Sequence, residues 1–366
     1  MNLKYLILYI SSHKHTKNVN NPILKSSFSI KSVQIPEKIT TFAIPKKSLI
    51  KGKKFIKKMI NRNLIRIRVV QLVYSWYQGT NKDLRKAEKE LLFGLQKSYD
   101  LYYYMFLLMI EITKMYDSRV ETKRNKYLPT EEDINPNTHL LRNKFILQLE
   151  TNNQLSSYSN ERPMSWTDNE AFVKNLLETI LESDTYLEYS QIDNPTYNED
   201  REFWRKTFKQ FICGNEELDD LLEDECIYWN DDIEIVQSFV LKTIKRFSEE
   251  LGPKQPLLPM FKDEEDKNFA LKLLHETILS ENKFRELIEQ HTDKWDFERI
   301  ALMDLVVMQI ALAEIFSFDS IPFNVSLNEY IEISKSYSTP KSGTFINGIL
   351  NAIVQYIKKE NIIFKN

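Results

Sequence analysis

Apolar residues recur at spacings of three and four along most of this chain, which is the period of an amphipathic helix. The longest series predicts a helix from the cap Asp83 to about Tyr116, and its apolar members are Leu84, Ala87, Leu91, Leu92, Leu95, Tyr99, Tyr102, Phe106 and Ile110. An earlier helix is predicted from Asn61 or Asn63 to about Gln78, with Gly79 ending it. Its inward side is predicted to comprise Leu64, Ile65, Leu72, Val73 and Trp76.

The middle of the chain predicts shorter helices separated by polar, proline-containing segments. Helices are expected at 137–155, from Ser165 or Thr167 to about Tyr189, and at 199–212, 215–228 and 232–249. Residues 119–136 are predicted to form a loop and residues 191–198 a linker. The pattern contains no alternation typical of strands, so the predicted fold is all-α.

Residues 252–259 hold one glycine and three prolines and form the strongest helix-breaking segment of the chain. We therefore predict a boundary there, between a helical N-terminal region at 59–250 and a C-terminal helical domain at 260–366. Residues 1–58 are predicted to be a basic, disordered extension.

The C-terminal region predicts four helices. One runs from the cap Asp263 to about Glu289, and the next, at 296–316, is apolar on nearly every side and is expected to be buried. Ser326 and Glu329 are spaced as a capping box for the third. Thr339 as N-cap, with Pro340 at the first helical position, is predicted to start the last one.

The charge is distributed unevenly. Residues 1–58 contain thirteen lysines and one acidic residue, a net +12, whereas the rest carries 37 basic and 51 acidic side chains, a net −14. A basic segment of this kind is typical of an arm that binds nucleic acid. The competing interpretation is an extension outside the working protein, with Met59, directly before the first predicted helix, as the functional start.

Several classes of protein are disfavoured by composition. The five histidines are scattered and the seven glycines cannot build a phosphate-binding loop within a dinucleotide fold, so we expect no enzyme, metal or cofactor. Cys213 and Cys226 suit a reducing cytoplasm rather than a disulfide framework or zinc site. No stretch is long and apolar enough to predict a membrane span.

Two segments carry candidate binding chemistry. Arg62 and Arg66 share one face of the first helix, with Arg68 nearly opposite, and a guanidinium suits phosphates and base edges. The last helix contains Gly343 and Gly348, each costing about 1 kcal/mol relative to alanine inside a helix. Either Gly348 permits close helix packing, or another molecule approaches the backbone beside Phe345 and Asn347.

The chain resembles the NusB transcription antitermination family in three ordered segments. They lie at 61–76, at 299–315, and at 321–350 with the motifs Ile321-Pro322-Phe323 and Phe345-Ile346-Asn347-Gly348. The resemblance implies a helical bundle of two packed subdomains, here enlarged by extra helices in the N-terminal half. It covers under a third of the chain.

The resemblance also implies binding residues. An RNA surface would comprise Arg62, Arg66, Arg68, Lys335, Lys341, Phe345 and Asn347. Asp304 and Glu314 would contact NusE, a small-subunit ribosomal protein. We expect the first and last helices to converge into a joint platform for single-stranded RNA. The four tyrosines between 99 and 104 either add RNA stacking or pack the enlarged N-terminal half.

The implied function is binding of boxA-like RNA together with NusE within the RNA polymerase antitermination complex, without catalysis and without membrane contact. One alternative is a helical scaffold that kept the fold but lost RNA recognition. The other is an RNA cytosine methyltransferase with an N-terminal NusB-like domain. The second is disfavoured because the motifs end close to residue 366, with no downstream cofactor loop or catalytic cysteine.

Overall fold

The computed structural model describes residues 59–80, 82–261, 263–292 and 297–363, and the basic segment 1–58 lies outside them. Within these ranges the chain is all-α, as predicted, and forms no strand. The helices are α1 Arg62–Gln78, α2 Leu84–Arg124, α3 Glu131–Ile134, α4 Lys144–Glu150, α5 Asn153–Glu161, α6 Glu170–Leu181, α7 Asp184–Ser190, α8 Tyr197–Thr207, α9 Glu216–Glu225, α10 Ile233–Ile244, α11 Glu264–Leu279, α12 Glu281–Glu289, α13 Leu302–Ser317, α14 Phe323–Tyr337 and α15 Ser342–Lys359. None of the helices in these ranges combines the length and apolarity that crossing a bilayer requires.

Helix α2 is the central helix of the N-terminal half. Its 41 residues span about 60 Å, and α1, α4, α6, α10 and α11 pack along it. Tyr102 and Tyr104 are fully buried on α2, and the Tyr102 hydroxyl lies 2.8 Å from that of Thr243. Trp166 stacks on Tyr104 with ring centroids 4.1 Å apart. These tyrosines therefore pack the enlarged N-terminal half, and base stacking on them is excluded.

Helix α13 is the centre of the C-terminal half. All residues from Met303 to Ile315 are buried, and α1, α11, α12, α14 and α15 surround the helix. The prediction of an element buried on every side is confirmed. Because α1 is among its neighbours, the first helix of the described chain belongs to the same core as the last third.

Side-chain caps account for two of the differences between predicted and observed helix boundaries. The helix predicted at 137–155 is divided into α4 and α5 because the Asn152 side chain accepts from two amides of the next turn. Ser183 similarly starts α7 within the helix predicted to end at Tyr189. At the other extreme, α2 continues through the first part of the predicted loop to Arg124. The helix predicted from Asp263 to Glu289 is interrupted at Ser280.

Two predicted caps are wrong because tertiary partners claim the residues. Ser326 lies inside α14, and its hydroxyl donates to Glu314 at 2.7 Å. Glu329 accepts from Arg66 at 3.1 Å instead of closing a capping box. Thr339 does not cap α15, since its backbone amide donates to the Ser342 hydroxyl at 3.2 Å and the helix starts at Ser342.

The proline-rich segment 252–259 passes beside the buried side of α2. The Tyr99 hydroxyl donates to the carbonyl oxygen of Leu258 at 2.8 Å. The Met59 amide donates to the Pro259 carbonyl oxygen at 2.9 Å, which attaches the start of the described chain to this segment. The hydrophobic core is continuous across it. The division into regions 59–250 and 260–366 stays a prediction.

Candidate nucleic-acid interface

Arg66 lies in the first half of α1 and is 3% exposed. Its Nε and Nη2 atoms donate to the two carboxylate oxygens of Glu314 at 2.7 and 2.9 Å, and its Nη1 donates to Glu329 at 3.1 Å. Burial opposes the charge, but the bonds and charges of these carboxylates outweigh it and raise the pKa of Arg66. The guanidinium is held inside the protein, so it does not belong to an RNA surface as predicted.

Glu314 is fully buried at the C-terminal half of α13. Besides Arg66, its carboxylate accepts from the Ser326 hydroxyl at 2.7 Å and the Tyr330 hydroxyl at 3.1 Å. A carboxylate has about four acceptor sites, and these donors account for them. The prediction that Glu314 contacts a partner protein is therefore wrong, because no side of it reaches the surface.

Arg68, on the other side of α1, is also internal, with 7% exposure. It pairs with Asp232, and it donates to the Tyr228 carbonyl oxygen at 2.5 Å and to Gln71 at 2.8 Å. Burial opposes its charge, but Asp232, Tyr337 and Asp231 together outweigh burial and raise the pKa of Arg68. This arginine joins α1 to the segment before α10, and its predicted contact with RNA is replaced by a structural role.

Arg62 is the arginine of α1 that remains accessible. It forms an ion pair with the exposed Glu265 at 2.8 Å, and its guanidinium carbon lies 5.0 Å from the centroid of the Phe269 ring. A surface pair of this kind contributes at most about 1 kcal/mol, so a phosphate can replace Glu265 at little cost.

The start of α15 is a more open surface. Lys341 and Asn347 are exposed, and Phe345 is half-buried. Lys335 is exposed on α14 and pairs with Glu332 at 2.5 Å. The predicted residues Lys335, Lys341, Phe345 and Asn347 are therefore all accessible on adjoining helices.

The two glycines of α15 have different surroundings. A Cβ atom added to Gly343 would lie 3.3 Å from Cγ of Lys335, so this glycine lets the lysine stem lie against the helix. A Cβ atom added to Gly348 would meet nothing within 4 Å. Close packing at Gly348 is therefore not what places a glycine there, whereas the open space beside it leaves the backbone approachable next to Asn347.

A cleft of about 230 Å³ opens at the start of α15. Its lining residues come from three segments: Arg299, Ile300, Ala301, Asp304, Thr339, Lys341, Ser342 and Phe345. Arg299 and Lys341 are exposed. Arg299 was not among the predicted RNA residues, although its charge directly before an apolar helix was a usable signal.

Asp304 borders this cleft and is 6% exposed. Its Oδ1 accepts from the Ser338 hydroxyl at 2.5 Å, and its Oδ2 accepts from the Ser342 hydroxyl at 3.0 Å. It lies in the first turn of α13, where the helix dipole favours a negative charge. These two bonds join α13 to the loop before α15, and the contact of Asp304 with a partner protein stays a prediction.

The two candidate RNA surfaces lie towards opposite ends of α13. Arg66 binds Glu314 near one end, while the cleft beside Phe345 adjoins Asp304 in the first turn. Ten residues of helix separate the two carboxylates by about 15 Å. Arg66 and Phe345 therefore lie near different ends of α13, and the expected joint platform of the first and last helices stays a prediction.

A second cleft, of about 550 Å³, lies between α9, α10 and the end of α14 and is strongly acidic. Its carboxylates are Asp219, Asp220, Glu223, Asp231 and Glu234. Burial, with Glu234, Asp220 and Glu216 nearby, raises the pKa of Asp219 to about 6. A negative surface repels phosphate, so this cleft limits the area that RNA can cover.

The cysteines and acidic side chains do not form a metal centre in the part of the chain that the structure describes. Cys213 and Cys226 are free thiols. Burial raises the pKa of Cys213 to about 11, which keeps the thiol protonated and unreactive near neutral pH.

Comparison with known proteins places residues 231–355, which hold α10 to most of α15, within the sequence model of the NusB family. The chain is 41% identical over 97 residues to the transcription antitermination protein NusB of Salinibacter ruber, covering 26% of this chain and 61% of the relative. It is 39% identical over 100 residues to the protein of the same name from Chloroherpeton thalassium, covering 27% of this chain and 47% of the relative. No solved structure matches the chain.

These two matches span less than two thirds of each relative's length. A third relative, the transcription antitermination protein NusB of Alkaliphilus oremlandii, is 35% identical over 101 residues, which are 28% of this chain and 71% of the relative. Residues 231–355, which the family model matches, include all the residues that line the Asp304 cleft. On this similarity, the chain belongs to the NusB family.

Proposed function

We propose that this chain is a non-catalytic transcription antitermination factor. In the cytoplasm it binds boxA-like single-stranded RNA together with NusE, and so helps RNA polymerase pass terminators during ribosomal RNA synthesis. The observation that carries the proposal is the surface at the start of α15, where Lys341 and Asn347 are exposed and Phe345 is half-buried. The relatives with 35–41% identity are named as transcription antitermination proteins.

The surface has the chemistry that unpaired RNA requires. Bases of single-stranded RNA stack on aromatic rings and present their edges to amides. Phe345 supplies the ring and Asn347 the amide, while Lys335 and Lys341 are placed to neutralise phosphates. Stacking of one base on an aromatic side chain contributes about 1–3 kcal/mol.

Of the two residues expected to contact NusE, Glu314 is fully buried, so NusE binding has to use other, exposed residues as well. A joint complex still strengthens binding, because RNA held by one protein is presented to the other at a high effective concentration. Arg62, which is accessible at the start of α1, supplies a peripheral phosphate contact on a longer RNA.

The test is the affinity of a boxA-like RNA oligonucleotide for the full chain, measured by fluorescence anisotropy with and without NusE. Replacing Phe345 and Asn347 by alanine should weaken binding at least tenfold. The matched control replaces Tyr356 and Lys359, at the other end of α15, and should bind as the parent does. Equal affinity of the two double variants would reject the site.

A second candidate function is a helical scaffold without RNA recognition. The observation that favours it is the burial of Arg66 and Arg68, which removes two predicted cations from the surface. A parent protein that binds NusE but gives no RNA-dependent anisotropy change, alone or with NusE, would establish the scaffold instead.

A further inference from the structure

The cleft at the start of α15 combines an aromatic wall, a cationic rim and a buried carboxylate. Phe345, Ile300 and Ala301 form its apolar sides, and Arg299 and Lys341 stand exposed at its mouth. We propose that it holds a single nucleobase with an exocyclic amino group, and that Asp304 recognises the amine. The inference rests on the RNA-binding function proposed above and deepens it.

The size of the cleft suits one base. Its volume of about 230 Å³ is several times the roughly 30 Å³ that one water molecule occupies in the liquid, so there is room for a planar ring. A planar ring entering it lies against Phe345 while its phosphate stays outside, near the two cations. A base that enters in this way must leave its stack, which single-stranded RNA allows at low cost.

Asp304 has acceptor capacity beyond its two serine partners. A carboxylate offers about four acceptor sites, and the hydroxyls of Ser338 and Ser342 occupy one on each oxygen. The side chain borders the cleft, so an incoming donor can reach a remaining site. Since an ionised carboxylate accepts and does not donate, the complementary group on a base is an N–H.

The bases differ in what they offer such a carboxylate. Cytosine, adenine and guanine each carry an exocyclic amine, and carboxylates in proteins accept from such amines. Uracil has carbonyl oxygens in the corresponding positions, and its single N–H is flanked by two of them. Those oxygens would face the carboxylate and repel it. The cleft should therefore select an amine-bearing base over uracil.

The placement of charge around the cleft explains how a carboxylate can serve in an RNA site. The N-terminal dipole of α13 stabilises Asp304 without a paired cation. Arg299 and Lys341 attract the phosphates to the mouth, while the carboxylate at the inner end contacts only the base edge. The two cations at the mouth position the RNA through its phosphates, and Asp304 discriminates between bases. Phosphate contacts and base contacts usually divide these roles in nucleic-acid recognition.

The experiment measures the affinity of the full-length parent protein for a series of boxA-like RNAs, each of which lacks one exocyclic amine. Each cytosine is replaced by uracil, each guanine by inosine and each adenine by purine riboside, one at a time, so that an exocyclic amine is removed at each position. We expect one position at which its loss weakens binding about tenfold, corresponding to one well-placed base contact. In Asp304→Asn the penalty at that position should fall below threefold.

Two further variants separate base recognition from general RNA binding. Arg299→Ala should lower the affinity for all the RNAs by a similar factor and should keep the preference for the amine. Glu360→Gln, which alters an exposed carboxylate at the far end of α15 and outside the cleft, should leave both affinity and preference unchanged. Circular dichroism melting of each variant shows whether its fold is retained.

The outcomes that overturn the inference are distinct from those that overturn RNA binding. If the parent binds RNA but no position shows an amine penalty above threefold, the assignment of the cleft is wrong and the RNA function stands. The same holds if a folded Asp304→Asn variant keeps the full penalty. If the parent binds no RNA with or without NusE, both proposals fail together.

Discussion

The starts of α1 and α15 both carry polar side chains that resemble an RNA-binding surface, and the structure treats them in opposite ways. On α1, Arg66 and Arg68 are buried against Glu314 and Asp232, which lie 248 and 164 positions away in the sequence. On α15, Lys341 and its neighbours stay exposed. The difference shows that whether a basic side chain binds a ligand or holds the fold depends on which carboxylates the tertiary structure brings to it.

The largest expected effect on stability is at Arg66. Arg66→Ala leaves Glu314 fully buried without its cation, and removing one partner of a buried pair costs about 3–5 kcal/mol. We expect the free energy of unfolding, measured by urea denaturation followed by circular dichroism at 222 nm, to fall by that amount. Asn63→Ala, one turn away and exposed on α1, should change it by less than about 0.5 kcal/mol.

A loss of RNA affinity in Arg66→Ala with unchanged stability would contradict this assignment. Such a result would mean that the guanidinium reaches the ligand rather than Glu314.

A charge reversal at Lys341 is expected to produce the opposite pattern. Lys341→Glu should weaken boxA-like RNA binding about tenfold, or about 1.4 kcal/mol, and should flatten the dependence of affinity on salt because a phosphate contact is lost. Its free energy of unfolding should match that of the parent. Lys359→Glu makes the same change at the far end of α15 and should retain parental affinity; equal losses in both variants would indicate a non-specific effect of net charge.

The acidic cleft beside α1 gives a pH-dependent test of how strongly carboxylates are buried there. Asp219 keeps its proton up to about pH 6 in the folded protein and releases it near pH 4 when unfolded. Its contribution to the stability of the parent is therefore present below about pH 4 and is lost as the pH rises to about 6. The free energy of unfolding of Asp219→Asn should therefore rise relative to that of the parent across that window, by about 1 kcal/mol after allowing for partial exposure.

Urea denaturation at pH 4, 5, 6 and 7 measures this difference. Asp224→Asn, at an exposed position of the same helix, is the control and should follow the parent at every pH. A constant difference between Asp219→Asn and the parent from pH 4 to 7 would show that this carboxyl group titrates normally.

The smallest expected effect is at Arg62. Arg62→Ala removes an exposed pair with Glu265 and should lower the free energy of unfolding by less than about 1 kcal/mol. RNA affinity should fall two- to threefold, with the slope of log affinity against log salt reduced by about 0.7, the value for one phosphate contact on a single strand. A stability loss as large as that of Arg66→Ala would remove the distinction between the two arginines.

Local chemistry was predictable from the sequence wherever a residue acts within its own helix. Asn61 caps α1 by accepting from the Leu64 amide, and Asp83 caps α2, both as expected from residue type. The apolar periodicity was enough to predict the all-α fold and the central position of α13. The binding role of Phe345 and Asn347 was implied by the family resemblance, since the periodicity alone counts Phe345 among the buried positions of the last helix, and that role stays a prediction.

The remaining features depend on contacts between distant segments, which no local pattern contains. Ser326 has the spacing of a helix cap, yet Glu314 and Arg66 organise that region and the helix starts three residues earlier. Asp304 was expected to contact NusE, and nothing in the sequence indicated that the hydroxyls of Ser338 and Ser342 donate to it. The cleft itself needs Arg299, Asp304 and Phe345 to meet in space, and their separation in the sequence conceals it.

The pairing of Arg66 with Glu314 has a consequence for how this chain can be divided or extended. Residues 231–355 expressed alone would contain Glu314 but not its arginine, so a fragment cut to the family match would bury an uncompensated charge and should fold poorly. The intervening residues form a long excursion whose two ends are held together by this pair. Lengthening such an excursion costs only about 0.6 kcal/mol for each doubling, so extra helices can accumulate there while the junction that supports the RNA surface stays the same.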